Sequence, residues 1–304
     1  MKKKLIVATR PSLLAYTQTL QTIELLKKKN PDCDFEIVKI STKGDKVQDK
    51  PLTSFGGTGV FVKEIENALI EGVADFAVHS LKDIPSIQPD NLILASFTKR
   101  EDPRDIILTK NNINYCDLHS SCIIGTGSPR RILQIKLLLK NAVFKDLRGN
   151  IDTRLAKLET NEYDAIVLAA AGIKRLGKKI NENSFLKTNI CIPAVGQGAI
   201  ALECRKDDVE TINILRSVND IETEIAITAE RSFMKTIGGG CKFPLAAYCI
   251  VNDLFIEMET IVGDQNTLKF IKLKGKEIKE NAKILGENMA NETILKTKEI
   301  GLIL

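Results

Sequence analysis

The sequence of 304 residues has no tryptophan and only two histidines, and aromatic residues of all kinds make up 5% of it. It also has no apolar run near the roughly 18 residues that a membrane-spanning helix needs. Few aromatic residues argue against a base-stacking surface for nucleic acid. Few histidines argue against a histidine-based metal site. We therefore predict a protein with no metal, nucleic-acid or membrane partner.

The cysteines are scattered, odd in number and never spaced as CxxC, which argues against a disulfide framework or a zinc site. They are Cys33, Cys116, Cys122, Cys191, Cys204, Cys241 and Cys249. Most are expected to be small buried residues. The basic start of the chain mimics a signal peptide, but its apolar run is short and is broken by Arg10 and Pro11. A cytoplasmic protein is expected.

Lysine supplies most of the positive charge, with 33 lysines against 11 arginines and a net charge of +5. No arginine follows Arg231, whereas ten lysines do. Arginine is therefore expected where a rigid, bidentate donor is needed. Because eight of the eleven arginines lie between residues 10 and 175, this part of the chain is where a polyanionic ligand is expected.

Hydrophobic periodicity predicts two α/β units followed by an α+β region. The first unit has expected strands at 4–9, 35–41, 74–78 and 92–97 and helices at 12–29 and 60–71. The second has expected strands at 106–109, 122–126, 143–147 and 164–169 and helices at 128–140 and 150–160. A further strand is expected at 198–204, and the sequence pattern leaves open whether it returns to the first sheet. The last region has an expected helix at 221–236 and strands at 245–251, 254–262 and 267–273.

Arginines follow several predicted strands. Ser128-Pro129-Arg130-Arg131 opens a predicted helix, where free N–H groups and two guanidiniums favour an anion. The alternative is a solvated basic helix start. Arg148 and Arg154 flank the next strand-to-helix turn, and Arg10 follows the first strand. Since loops at the carboxyl ends of parallel strands converge, all five arginines are expected to face one cleft.

Two further motifs carry candidate chemistry. Ser80, Lys82 and Asp83 follow the strand at 74–78, a position that suits acid–base work; the alternative is a turn or capping aspartate. Cys241 follows three glycines and precedes Lys242, which favours a thiolate. The alternative there is a buried cysteine beside a glycine hinge.

Taken together, the motifs resemble those of the porphobilinogen deaminase (hydroxymethylbilane synthase) family, over about residues 5 to 250. They are ATR-x-S-x-LA (8–15), TKGD (42–45), GVFVKE (59–64), AVHSLKD-x-P (77–85), REDPRD (100–105), GTGSPRR (125–131), LRGN-x-x-TRL (147–155), YDAI-x-LAAAG-x-KRLG (163–177), PAVGQGA (193–199), AERSFM (229–234) and GGGC-x-x-P (238–244).

The resemblance implies two α/β domains like those of type II periplasmic binding proteins, with a cleft between them, and a small α+β domain. The implied bounds are 1–98 plus 198–218, 103–193 and 220–304. It also implies a monomeric transferase of heme biosynthesis that joins four porphobilinogen molecules head to tail, with loss of ammonia, into hydroxymethylbilane. A dipyrromethane cofactor bound by a thioether to Cys241 is implied as the primer.

The resemblance assigns site residues by motif. The catalytic residues are expected to be Asp83, Arg10 and Lys82, with Asp83 stabilising the cation left after ammonia loss. Besides Cys241, the cofactor contacts are expected to be Ser12, Lys82, Asp83, Thr126, Ser128, Arg130, Arg131, Arg148, Gly149 and Arg154. The substrate contacts are expected to be Arg10, Gln18, Arg175 and Gln197.

The sequence departs from the family pattern at Ser54 and Thr58, where lysines are expected, so the part that this loop plays with substrate carboxylates is open. Pro129 replaces a leucine and is expected to preserve the helix start. The main alternative function is a non-enzymatic cytoplasmic binding protein for an organic polyanion, which leaves Asp83 and the cysteine loop unexplained. A thiol-dependent enzyme unrelated to pyrroles is a more distant alternative.

Overall fold

The computed structural model describes residues 3–46, 59, 61–238 and 243–302. The chain forms two compact units. Unit 1 comprises Met1–Gln48, Thr58–Glu101 and Ala199–Glu224. Unit 2 comprises Asp49–Gly57, Asp102–Gly198 and Ile225–Leu304. The division of unit 2 into two domains, with the bounds given above, stays a prediction.

The predicted alternation of strands and helices is present in both units. The described strands are β1 (Lys3–Thr9), β2 (Cys33–Lys39), β3 (Phe76–Ser80), β4 (Leu92–Phe97), β5 (Asp105–Thr109), β6 (Ile123–Gly125), β7 (Val143–Lys145), β8 (Ala165–Ala169), β9 (Ile200–Arg205), β10 (Leu245–Val251), β11 (Phe255–Gly263) and β12 (Phe270–Ile278). The described helices are α1 (Leu13–Lys29), α2 (Lys43–Lys46), α3 (Lys63–Ile70), α4 (Pro129–Leu138), α5 (Ile151–Glu159), α6 (Ala170–Arg175), α7 (Val209–Arg216), α8 (Ile221–Ile237) and α9 (Ala282–Glu299).

Unit 1 is built on one five-stranded sheet in the order β2-β1-β3-β9-β4. β1 pairs in parallel with β2 and β3, while β9 is antiparallel to both β3 and β4. The strand expected at 198–204 therefore does return to the first sheet, as the family resemblance implied. This mostly parallel sheet, with one inserted antiparallel strand, confirms the α/β class of the unit.

Unit 2 contains two sheets. The first has the order β5-β8-β6-β7, with β6 parallel to β7 and β8 and with β5 antiparallel to β8. The second is the antiparallel sheet β10-β11-β12, which confirms the α+β class predicted for the last region. Since β6, β7 and β8 are parallel, their carboxyl ends lie at one edge of the sheet, and the candidate residues follow there.

Both α/β sheets are covered on both faces, as expected for buried parallel strands. In unit 1, Val7 and Phe76 belong to one apolar cluster and Ala8 and Ala77 to another, because neighbouring residues of a strand face opposite sides. Two clusters likewise flank the sheet of β5 to β8. The third sheet packs one face on α8 and α9, where Phe233 is fully buried.

The helix starts follow the predicted capping residues. The Ser12 hydroxyl accepts a hydrogen bond from the Ala15 amide at 3.3 Å, and the Asn150 side chain accepts one from the Thr153 amide at 2.9 Å. Ser128 precedes α4, with Pro129 at the first helical position, but its hydroxyl makes no capping bond. A ligand that bound the Ser128 hydroxyl would therefore break no capping hydrogen bond of α4.

None of the helices in the described ranges is long and apolar enough to cross a membrane. The six cysteines that the structure describes are free, and all except Cys116 are buried, in line with the expectation for most cysteines of the chain.

A buried acid–histidine pair joins two strands of the unit 1 sheet. His79 Nε2 of β3 lies 3.1 Å from Glu203 Oε2 of β9, and the side chains are only 5% and 0% exposed. Neither of these atoms has a well-aligned hydrogen bond to any described residue. Burial raises the pKa of nearby Glu66, and the charge of Glu203 raises it further. The two buried side chains therefore lie within ion-pair distance of one another.

We expect His79→Gln to lower the free energy of unfolding by about 3–5 kcal/mol, because it leaves the buried Glu203 side chain without its partner. Adding Glu203→Gln should recover most of that loss. The measurement is a double-mutant cycle by urea unfolding. If the effects of the two substitutions were additive, the pair would not be coupled.

Candidate active site

The unit 1 candidates follow β1 and β3, which are parallel neighbours with Val7 paired to Phe76. Arg10 and Ser12 come directly after β1. Lys82 and Asp83 come directly after β3. Because the carboxyl ends of parallel strands meet at one edge of a sheet, the structure brings these four residues to the same edge.

Lys82 and Asp83 lie on a 3₁₀ turn, Leu81–Asp83, that extends β3. The buried Leu81 anchors this turn, and its amide donates a hydrogen bond of 3.1 Å to the Ala199 carbonyl. Both charged side chains are exposed. Asp83 makes no hydrogen bond or ion pair with any residue in the described ranges, so its carboxylate does not cap the turn. The turn thus holds an exposed carboxylate on an anchored backbone.

Gln18 and Ser80 connect α1 to the end of β3. Gln18 is almost fully buried, and its side-chain oxygen accepts a hydrogen bond of 3.0 Å from the Ser80 hydroxyl. This contact supports the turn that carries Asp83. The expectation that Gln18 contacts substrate stays a prediction.

Arg10 is held by an acidic partner that the sequence analysis did not single out. Its Nη2 lies 2.6 Å from Asp45 Oδ1, and its guanidinium carbon lies 4.1 Å from the centre of the Phe61 ring. Partial burial alone would raise the pKa of Asp45, but the hydrogen bonds and charge of Arg10 outweigh it and lower that pKa. Asp45 is therefore an anion over the whole neutral range.

The unit 2 candidates follow β6, β7 and β8 at one sheet edge. Thr126 and Ser128 follow β6, Arg148 and Gly149 follow β7, and Arg175 ends α6 after β8. Thr126 is almost fully buried, and its hydroxyl accepts a hydrogen bond of 3.3 Å from the Ser128 amide. The Ser128 hydroxyl donates to no described residue, which leaves it available to a ligand.

Arg130 and Arg131 are buried around one carboxylate, Asp105, at the start of β5. Arg130 Nη1 and Arg131 Nη2 each lie 2.7 Å from an Asp105 oxygen. Complete burial would raise the pKa of Asp105, but the two guanidinium charges overcome it and hold that pKa far below its usual range. The alternative of a solvated basic helix start is therefore wrong for these arginines, which are 6% and 7% exposed.

The two guanidiniums differ in what they have left to donate. Arg131 uses Nε, Nη1 and Nη2, the second of these to the Val167 carbonyl at 2.9 Å. Arg130 donates only through Nη1 within the described chain, to Asp105, Cys191 and the Ile192 carbonyl. Arg130 therefore has guanidinium donors left for a ligand. All three Arg131 nitrogens already donate, so Arg131 mainly holds the Asp105 carboxylate in place.

Asp105 also organises two further side chains. Gln197 Nε2 donates a hydrogen bond of 3.0 Å to Asp105 Oδ1, and the Cys191 thiol lies 3.4 Å from Oδ2. Burial and the Asp105 charge raise the pKa of Cys191 to about 12, so this thiol is inert. Gln197 thus helps to hold the counter-ion of the arginines, and the expectation that it contacts substrate stays a prediction.

The turn after β7 explains its glycine. Gly149 has a φ of +109°, which disfavours any side chain, and a Cβ there would lie 2.7 Å from Thr153 Cγ2. The turn lets Arg154 Nε donate a hydrogen bond of 2.7 Å to the Gly149 carbonyl. Arg148 Nε lies 3.3 Å from Asp146 Oδ2. Both arginines are thus tethered through Nε at the end of the strand.

Arg175 lies at the end of α6, and its Nη2 donates a hydrogen bond of 2.7 Å to the Gly198 carbonyl. Cys241 lies outside the described residues, as do Ser54 and Thr58. The expectations for those three positions are carried by the sequence alone. No group of three or more potential metal ligands occurs within the part of the chain that is described.

The site residues that sequence reasoning missed are Asp45 and Asp105. Both stand in motifs quoted above, TKGD and REDPRD, but neither motif shows which cation each aspartate pairs with. The available signal was a charged residue directly before the apolar run Ile106-Ile107-Leu108, because a buried strand start tolerates a carboxylate only when it is paired.

Comparison with known proteins decides the family. The model for the porphobilinogen deaminase dipyrromethane cofactor-binding domain matches residues 5–213, and the model for the C-terminal domain of that enzyme matches residues 224–295. This chain belongs to the porphobilinogen deaminase family. The family prediction is thereby confirmed, and with it the assignment to the transferases of tetrapyrrole biosynthesis.

Individual relatives span the chain. The porphobilinogen deaminase of Oceanobacillus iheyensis is 42% identical over 98% of both chains. That of Geobacillus sp. is 47% identical over 83% of this chain and 81% of its own length, and that of Bacillus subtilis is 45% identical over the same shares. Among solved structures, the methionine binding protein MetQ matches with a TM-score of 0.45 and 12% identity, over 70% of this chain and 88% of its own, too remotely to be informative.

Proposed function

We propose that this protein joins four porphobilinogen molecules head to tail, with loss of ammonia at each step, into hydroxymethylbilane. The proposal is supported by the charged and hydroxyl side chains that follow the parallel strands, together with membership of the family. An exposed carboxylate that bonds to none of the described residues, Asp83, follows β3 in unit 1. Cationic and hydroxyl donors, among them Arg130 and Ser128, follow the parallel strands of unit 2.

The unit 2 donors fit a group that carries several carboxylates. The Ser128 hydroxyl and the Arg130 donors that no described residue accepts could serve such a group, and the tethered Arg148 and Arg154 follow the neighbouring strand. Charge-assisted hydrogen bonds are worth roughly 1.5–3 kcal/mol each, which offsets the cost of removing carboxylates from water. Thr126, Gly149 and Arg131 shape this edge. When bound, a dipyrromethane would supply the pyrrole carbon to which the first substrate is joined.

Asp83 is the proposed catalytic carboxylate. Loss of ammonia from porphobilinogen leaves a cation shared with the pyrrole nitrogen, and a carboxylate at the pyrrole N–H stabilises it. The same group can carry a proton to the leaving amine and take one when the new ring regains aromaticity. Lys82 beside it and Ser12 at the start of α1 are proposed to bind acidic side groups. Arg10, Gln18, Arg175 and Gln197 are proposed for the incoming substrate.

Cys241 is proposed as the attachment point of the dipyrromethane through a thioether. We expect the intact mass of the wild-type protein to exceed the mass calculated from its sequence by that of a dipyrromethane. This increment should be absent from Cys241→Ser. Cys116→Ser, which changes an exposed cysteine elsewhere, should keep it. An acidic Ehrlich-aldehyde colour should follow the mass.

An unmodified wild type would be incubated with porphobilinogen and weighed again, because apoprotein can be purified. A wild type that still gained no mass would refute the attachment and favour the alternative, a binding protein for an organic polyanion.

We also propose that the protein works as a cytoplasmic monomer. Light scattering of the purified protein tests the monomer.

A further inference from the structure

Arg10 is fixed from two sides in unit 1. Its Nε and Nη2 lie 3.2 and 2.6 Å from Asp45 Oδ1, and its guanidinium plane lies over the Phe61 ring. Nη1 donates to no residue in the described part of the chain. The guanidinium, on a side chain that is 23% exposed, therefore has one unused edge.

The Asp45 carboxylate is itself held independently of Arg10. Its Oδ2 accepts hydrogen bonds from the Thr42 amide at 3.1 Å and from the Thr42 hydroxyl at 2.8 Å. Thr42 is completely buried, so it provides a rigid support. An aspartate oriented in this way sets the direction of the guanidinium, and the arginine does not set the direction of the aspartate.

Phe61 reaches Arg10 only because residue 44 is glycine. A Cβ at Gly44 would collide with Cε1 and Cδ1 of the Phe61 ring. Gly44 and Asp45 belong to one of the quoted motifs and Phe61 to another, so the Arg10 environment explains residues of both.

We propose that Asp45 and Phe61 are positioning residues that hold Arg10 so that the guanidinium edge facing away from Asp45 meets a carboxylate of the incoming pyrrole. This inference rests on the proposed function. With Nε and one N–H of Nη2 committed to Asp45, the substrate can meet the guanidinium only at the opposite Nη1–Nη2 edge, and the Asp45 charge offsets part of the attraction. Arg10 thus gains a fixed direction at the expense of ground-state affinity, an exchange that favours turnover over binding.

The test is the separate effect of Asp45→Ala on kcat and on KM for porphobilinogen. We expect kcat to fall at least about tenfold, because misplacing a binding group by about 1 Å can cost about 10² in rate. KM should stay within about threefold or decrease, since the released arginine keeps its donors and no longer lies beside the Asp45 charge. Asp34→Ala, an exposed aspartate on β2, is the matched control and should behave as wild type.

Gly44→Ala should give the same separation of kcat from KM by displacing Phe61, and its effect should disappear in a Phe61→Leu background. Asp45→Asn keeps the volume and replaces Asp45→Ala if that variant does not fold. An unchanged kcat, or a raised KM at constant kcat, would overturn the inference. A wild type that consumes no porphobilinogen would instead refute the proposed function, so the two failures are distinguishable.

Discussion

Replacing Asp83 by asparagine is expected to reduce turnover of porphobilinogen by at least 10²-fold while leaving the fold intact. The size follows from the usual contribution of positioned proton transfer, about 10²–10⁴-fold. The fold should survive because the Asp83 side chain is exposed and bonds to no described residue. Asparagine keeps the volume but can neither carry the proton nor offset a pyrrole cation.

The measurement is steady-state turnover beside thermal unfolding and intact mass. Asp90→Asn, an exposed aspartate of the same unit, is the control and should retain full activity. The mass shows whether Asp83→Asn still carries its dipyrromethane, which separates lost chemistry from lost loading. Near-normal turnover in a loaded Asp83→Asn protein would remove Asp83 from the catalytic role.

Replacing Asp105 by asparagine is expected to lower the free energy of unfolding by about 3–5 kcal/mol. The substitution leaves Arg130 and Arg131 buried without their counter-charge, and it disturbs the hydrogen bond from Gln197. Asp152→Asn is the control, since its ion pair with Lys178 is about half exposed and should be worth at most about 1 kcal/mol. Urea unfolding of both variants measures the difference.

The difference between wild type and Asp105→Asn should also depend on pH. The folded-state pKa of Asp105 lies below its unfolded value, so its charge stabilises the fold above about pH 4. That contribution is lost as the pH falls through the folded-state pKa, because a protonated Asp105 resembles asparagine. The two stabilities should therefore converge on acidification from pH 5 downward. A difference that is constant from pH 7 to 3 would mean that the Asp105 charge does not matter.

Much of the fold was predictable because its elements are amphipathic or capped by recognisable residues. The strands β4 and β10 lie at the predicted residues, and α1 starts directly after Ser12. The short helix α6 was not predicted, because its six residues form less than two turns and continue the apolar pattern of β8.

The candidate site was predictable in location but not in pairing. Strand ends and charges are visible in the sequence, which is why Arg10 and Asp83 could each be predicted to follow a strand of the first unit. Partners are not visible, since Arg130 and Asp105 are 25 residues apart and meet only because β5 and β6 both pair with β8. The prediction that Arg130 and Arg131 bind ligand therefore omitted the carboxylate that holds them.

The position of β9 has a consequence for how the protein is made. β9 lies between β3 and β4, yet it enters the chain only after residues 102–198. A ribosome-bound chain that has exposed unit 1 up to residue 101 therefore has a split sheet with open strand edges, which are prone to pair with other chains. Unit 1 cannot finish folding first, against the usual order of synthesis. Its completion must wait until Ile200–Arg205 leaves the exit tunnel.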